Sequence, residues 1–272
     1  MRRAPYRLAA LLLAGATAGA AAQVPAPDDP WAGDPTGIVA DPCPAHPKPR
    51  DGAEWQRWNR HMLARDWGQH CRYAADNAAL KAAGTPVQVV FMGDSITDNW
   101  INLDPGMFQG GLVDRGISGQ TTPQMLVRFR ADVIDLHPQA VHIMAGTNDI
   151  AGNTGATTLA RVQGQIATMA ELARAHGIKV ILGAIPPAAS FAWARDKQPV
   201  APIRAMNAWL RDYARANGHA FVDYHAAMAT PEGAMKPGLS SDGVHPTAAG
   251  YAVMRPLALD AIRRTLGGAS RP

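Results

Sequence analysis

From Val87 onward the chain alternates between two spacings of apolar residues. Val87, Val89, Val90 and Phe91 form a short β-branched and aromatic run between Thr85-Pro86 and Gly93, the pattern of a buried strand. Similar runs follow at Leu112–Ile117, Ala140–Ala145, Val180–Ile185 and Ala220–Tyr224. Between them the apolar positions move to helical spacing, at Leu159, Val162, Ile166, Met169 and Ala173, and again at Ile203, Met206, Leu210 and Tyr213. A last helix is predicted from Thr247 to Leu266, with Met254, Leu257, Ala258 and Ile262 on one side. Strands alternating with helices predict an α/β fold, a five-stranded parallel sheet covered on both faces in a three-layer α/β/α sandwich.

Upstream of Val87 the pattern changes. Arg2, Arg3 and Arg7, the apolar run Leu8–Leu13 and the small residues Ala20-Ala21-Ala22 predict an export signal over residues 1–22. That apolar run is too short to span a bilayer. Residues 23–50, rich in Pro, Asp, Gly and Ala, predict an extended tether. A helical stretch follows from about Trp55 to Ala83, with Trp55, Trp58, Met62, Trp67 and Tyr73 as packing residues. The extension thus covers residues 23–84, and the α/β domain residues 85–268. The sequence contains two cysteines, Cys43 and Cys71, without the spacing of a zinc or redox motif. In an exported chain they are expected to form a disulfide within the extension.

Charge alters the picture little. The formal net charge is +4, but residues 1–22 carry three arginines and no acid, which leaves +1 for the mature chain. No basic run or aromatic-basic stripe points to nucleic acid. Nothing in the sequence addresses oligomeric state.

Candidate chemistry gathers after the strands. Gly93-Asp94-Ser95-Ile96 follows the first, Gly116-Ile-Ser-Gly119-Gln-Thr-Thr-Pro123 the second and Gly146-Thr-Asn148-Asp149 the third. Ser241-Asp242-Gly-Val-His245-Pro246 leads into the last helix. Each has an ordinary reading: Gly119 and Asn148 as turn residues, Asp242 as a helix cap, His245 as a surface residue. Asp94 and Asp149 are expected to hydrogen-bond the turns, Asp98 to start a helix, and His142 to sit satisfied within its strand. Together, however, these segments fall at the edge where such sheets place their ligands. No Gly-x-Ser-x-Gly elbow, P-loop, dinucleotide fingerprint or His-Glu-x-x-His occurs.

The four segments, in this order, resemble the SGNH branch of the GDSL hydrolase family over about Val87 to Leu266. The first block carries Ile96 where the family name has leucine, an apolar exchange beside the serine. The resemblance implies a flavodoxin-like SGNH fold and an exported serine esterase with no cofactor and no metal. It implies Ser95 as nucleophile, His245 as its base and Asp242 as the group that orients the ring. The backbone N–H groups of Ser95 and Gly119 and the amide of Asn148 would receive the oxyanion, each such donor being worth about 2.7–4 kcal/mol. The long connection Ala184–Arg195 is expected to wall the pocket, with Phe191, Trp193 and Arg195 as candidate substrate contacts. The blocks look most like those of acetylhydrolases and carbohydrate O-acetylesterases. The implied substrate is a short-chain, acetyl ester on a small molecule or glycan. A lysophospholipase or thioesterase of the same fold is the alternative, and a non-catalytic glycan-binding module a further one.

Overall fold

The computed structural model describes residues 65–267 together with Thr36, Ile38 and Cys43. The expected export signal and Trp55, Trp58 and Met62 lie outside the described residues, as does the tether apart from Thr36, Ile38 and Cys43. Neither Cys43 nor Cys71 is a free thiol.

Five parallel strands form one sheet: β1 (Val89–Gly93), β2 (Leu112–Gly116), β3 (Ala140–Met144), β4 (Lys179–Gly183) and β5 (Ala220–Val222). Their order is β2-β1-β3-β4-β5, the flavodoxin-like arrangement. Successive side chains leave a strand on opposite faces, and nearly all are apolar here, as a sheet covered on both sides requires. Val90, Met92, Val141, Ile143, Val180 and Leu182 face one layer of helices. Val89, Phe91, Ala140, Met144, Ile181 and Val222 face the other.

The helices are α1 (Ala74–Ala82), α2 (Ser95–Asp98), α3 (Trp100–Leu103), α4 (Thr122–Asp132), α5 (Thr147–Ala151), α6 (Leu159–Ala175), α7 (Val200–Asn217), α8 (Tyr224–Met228) and α9 (Ala248–Gly267). Met125 and Phe129 of α4, Val162 and Ile166 of α6, and Ile203 and Met206 of α7 share the first core. Trp100, Tyr224, Tyr251 and Met254 fill the second. The fifth strand stops two residues earlier than its apolar run because Asp223 accepts the Ala226 N–H at 2.9 Å and caps α8.

The helix expected from Trp55 to Ala83 is not continuous. The Asp66 carboxylate accepts the N–H groups of His70 and Cys71 at 2.8 and 2.9 Å, and Gln69 takes a left-handed conformation. A new 3-10 turn therefore starts at His70 and leads into α1. This segment is stitched to the sheet. Tyr73 donates to the Gly116 carbonyl, Gln120 to that of Gly68 and Gln124 to that of Trp67.

Beneath β1 lies a wholly buried arginine. Arg128 of α4 donates through Nε to Gln120 (2.6 Å) and through its two terminal nitrogens to Asp132 (2.9 Å) and the Gly93 carbonyl (3.2 Å). Asp132 also accepts from Asn77 of α1 at 2.7 Å, and Asn77 accepts from Arg115 Nε at 2.9 Å. One polar chain thus joins β1, β2, α1 and α4. A buried charge is tolerated when paired and hydrogen-bonded, and its loss strands the partner. Arg128→Leu is expected to lower unfolding free energy by about 3–5 kcal/mol, read from urea denaturation; a loss below about 1 kcal/mol, the range of an exposed pair, would contradict this role.

Candidate active site

Three neighbouring strands end level with one another. Gly93 of β1 pairs with Gly116 of β2 on one side and with Met144 of β3 on the other. The loops that follow therefore leave the sheet together, at the switch point where β1 and β3 lie side by side and a crevice opens beyond the strand ends. Ser95, Gly119 and Asn148 sit on these three loops, within a few residues of the paired positions.

The turn carrying Ser95 is tight. Asp94 accepts the Ile96 N–H at 3.0 Å and α2 begins at once. A Cβ at Gly93 would lie 2.0 Å from Thr97 Oγ1 and 2.8 Å from Thr97 Cβ, so only glycine lets the helix fold back this closely. From α9, Tyr251 donates to the Ile96 carbonyl at 2.7 Å and clamps the turn from below. Asp98 closes α2 rather than starting a helix, because Asp94 already holds the capping position. Its carboxylate accepts the Ser118 N–H and hydroxyl at 3.1 and 2.6 Å, fixing the loop after β2.

His245 enters from the opposite side of the crevice. Thr247 donates to the Gly238 carbonyl at 2.9 Å, and Ser240 and Pro246 form a β-bridge. Asp242 Oδ1 accepts the N–H groups of Val244 and His245 at 2.9 and 2.8 Å. This turn leaves Oδ2 free to accept His245 Nδ1–H at 2.6 Å. Nε2 then faces Ser95, whose hydroxyl donates to it at 2.9 Å. Partial burial raises the Asp242 pKa, but the hydrogen bonds from the His245 ring, its N–H and that of Val244 outweigh this, so the carboxyl is held well below its usual range. Such an arrangement presents an ionised carboxylate, an oriented imidazole and a hydroxyl in series.

The remaining two groups meet through a residue that the sequence reading missed. Asn153 Nδ2 donates both to the Gly119 carbonyl (3.1 Å) and to Asn148 Oδ1 (2.9 Å). Asn148 Nδ2 donates in turn to the Gln120 carbonyl at 3.0 Å. Asn153 reaches this position because α5 ends in a Schellman turn. Gly152 is left-handed, its N–H returns to Asp149, and the Asn153 N–H returns to Asn148. Gly152, three residues before the next glycine, Gly155, was the available clue. Ser95 N–H, at the first position of α2, has no partner within its own helix.

Asp149 binds the loops after β2 and β3 to each other. It accepts the Thr122 N–H and, at 2.6 Å, the Thr122 hydroxyl, and burial raises its pKa. His142 stacks on Phe91 at 4.7 Å and bonds Tyr224 at 3.0 Å; burial drives its pKa down to about 3, so it is a neutral core residue. Among the described residues no group of three or more His, Cys, Asp or Glu is placed to hold a metal.

The connection after β4 brings Trp193 beside the site, 45% exposed, with its ring centroid 6.0 Å from that of His245. Phe191, expected as a substrate contact, is instead fully buried and stacks against Trp193 at 5.0 Å. It supports the exposed ring and cannot itself meet a ligand. Arg195 is exposed on the same connection. A cavity of about 700 Å³ opens elsewhere, along the outer edge of β2 near Tyr73, Asp98 and Asp114, and neither Ser95, Asp242 nor His245 lines it.

The chain is similar to known proteins in sequence and in fold. The model of the GDSL-like lipase/acylhydrolase family matches residues 91–253. A Bacteroides fragilis protein classed as an acylhydrolase has a similar structure, with 46% identity over 74% of this chain and 99% of its own, at a TM-score of 0.71. The acetylxylan esterase of Geobacillus stearothermophilus shares the fold, with 21% identity over 65% of this chain and 94% of its own, at a TM-score of 0.52. The uncharacterised lipoprotein YqeF of Bacillus subtilis is 38% identical over 88 residues, a match spanning 30% of this chain and only 36% of that lipoprotein.

Asp94 gives the site a pH signature in stability. Burial pushes its carboxyl up to about 6, against the hydrogen bond from Ile96 and the nearby His245 charge. Between its ordinary 3.8 and that value, the folded chain holds the proton more tightly than the unfolded chain. The Asp94 contribution to stability is therefore present at low pH and lost as pH rises through this window. Asp94→Asn, which keeps an acceptor for the Ile96 N–H, is expected to remove that loss. Urea midpoints from about pH 4 to 7 should fall more for the wild type than for the variant; parallel curves would contradict the shift.

Proposed function

The chain belongs to the GDSL-like lipase/acylhydrolase family, and we propose that it is an exported serine esterase that removes short acyl groups, acetyl foremost, from a carbohydrate. The observation that carries this reading is the unbroken series Ser95 Oγ–His245 Nε2–Asp242, with separations of 2.9 and 2.6 Å. As Ser95 Oγ bonds to the ester carbonyl carbon, its proton passes to His245 Nε2 and the carbonyl electron pair becomes an oxyanion. Asp242 keeps the ring in the tautomer that accepts this proton and stabilises the imidazolium. The N–H groups of Ser95 and Gly119 and the Asn148 amide receive the oxyanion. Collapse breaks the bond to the alcohol, which leaves with the proton from Nε2. Water, deprotonated by the same nitrogen, then frees the acid and regenerates the serine.

Two features support a saccharide ester. Trp193 offers a half-exposed ring beside His245, and flat aromatic faces suit the apolar faces of sugar rings. The shared fold of an acetylxylan esterase points the same way. Export is supported by the pattern of residues 1–22 and by likeness to a lipoprotein.

Hydrolysis of p-nitrophenyl esters from acetyl to dodecanoyl, with Ser95→Ala alongside, tests the reading. Activity is expected on the shortest chains and should fall by about 10⁴-fold or more in the variant. A maximum at long chains would replace the saccharide reading with a lysophospholipase or thioesterase. Retained activity in Ser95→Ala would overturn the mechanism.

A further inference from the structure

The geometry points to Asn153 as a positioning residue that sets the oxyanion donors and couples them to the wall of the site, an inference that rests on the serine-esterase reading above. An asparagine amide can rotate by half a turn at little steric cost, and the two orientations exchange donor for acceptor. Asn148 serves an oxyanion only with its NH₂ towards the crevice. Two bonds select that orientation: the Gln120 carbonyl accepts one Nδ2 hydrogen at 3.0 Å, and Asn153 Nδ2 donates to Oδ1 at 2.9 Å. The second Nδ2 hydrogen of Asn148 is left for the substrate.

Asn153 also grips the other donor. Its remaining Nδ2 hydrogen goes to the Gly119 carbonyl at 3.1 Å, so one side-chain NH₂ holds both Gly119 and Asn148. Its own orientation is fixed from outside, because Trp193 Nε1 donates to Asn153 Oδ1 at 3.0 Å. The Trp193 ring is in turn held by Phe191 and lies against His245. A ligand that moves this indole therefore acts on the donors through Asn153, while the ring itself offers contact area. The N–H of Trp193 and its face have separate consequences, which makes the arrangement testable.

On p-nitrophenyl acetate, Asn153→Ala should lower kcat roughly tenfold or more with little change in KM, a smaller effect than the ~100–1,000-fold typical of deleting a donor outright. In the Asn148→Ala background the same change should cost less than it does alone, because the part that acts through Asn148 is already lost and only the hold on Gly119 remains. Trp193→Phe, which keeps a ring and loses the N–H, should lower kcat in the same direction, whereas Trp193→Ala should also raise KM. Thermal melts of each variant separate these effects from loss of fold, and Asn153→Asp, which cannot donate, provides a second form of the deletion. An unchanged kcat in Asn153→Ala and Asn153→Asp would overturn the assignment, as would a loss that multiplies in full on Asn148→Ala. Ser95→Ala distinguishes the two levels: activity surviving that change overturns the serine mechanism and this role with it. Activity lost in Ser95→Ala but intact in the Asn153 variants overturns this role alone.

Discussion

The buried guanidinium of Arg128 is the constraint on which the edge carrying the proposed site depends. It has no exposure to water, so its charge must be answered inside the protein. Asp132 supplies the charge, and Gln120 and the Gly93 carbonyl supply the remaining acceptors. These partners are themselves parts of the site's frame. Gly93 precedes the Ser95 turn, and Gln120 follows Gly119 and offers its carbonyl to Asn148. The same polar chain passes through Asn77 to Arg115 of β2. Hydrophobic burial holds the layers together without fixing loop orientation; directional bonds from one buried cation do fix it.

Above that frame the site is assembled from short loops, each held by a different carboxylate. Asp94 caps the Ser95 turn, Asp98 anchors the loop after β2, Asp149 ties that loop to the one after β3, and Asp242 shapes the His245 turn. Three of these acids carry no chemistry in the proposed reaction. They satisfy backbone N–H groups that strand ends and tight turns leave open. Asp98 and Asp149 also accept the hydroxyls of Ser118 and Thr122, whereas the second oxygen of Asp242 accepts from the imidazole. Preorganisation of this kind places the cost of orientation in folding rather than in the reaction.

Much of this was legible in the sequence because apolar periodicity reports layers directly. The strand runs ending at Ile117, Ala145 and Ile185 overshoot their strands by one or two residues, since a buried loop residue looks like a strand residue. Helix α4 left no clear periodic signal, because Gln124, Arg128 and Asp132 occupy its buried face where apolar residues would normally mark it. The serine, histidine, aspartate, glycine and asparagine of the motif blocks were readable as an ordered set, and the fold brings them to one edge. Asn153 was not, because its role arises from the left-handed Gly152 and from contacts with residues distant in sequence. Phe191 and Trp193 are two residues apart and of similar chemistry. Only the packing shows that one is buried support and the other exposed.

The proposed reaction turns on activation of Ser95 as a nucleophile by His245 as its base. Intact-protein mass after treatment with a fluorophosphonate tests this directly. One adduct, mapped to Ser95, absent in Ser95→Ala and strongly slowed in His245→Ala, is the predicted result. No adduct, or an adduct on another residue, would contradict it.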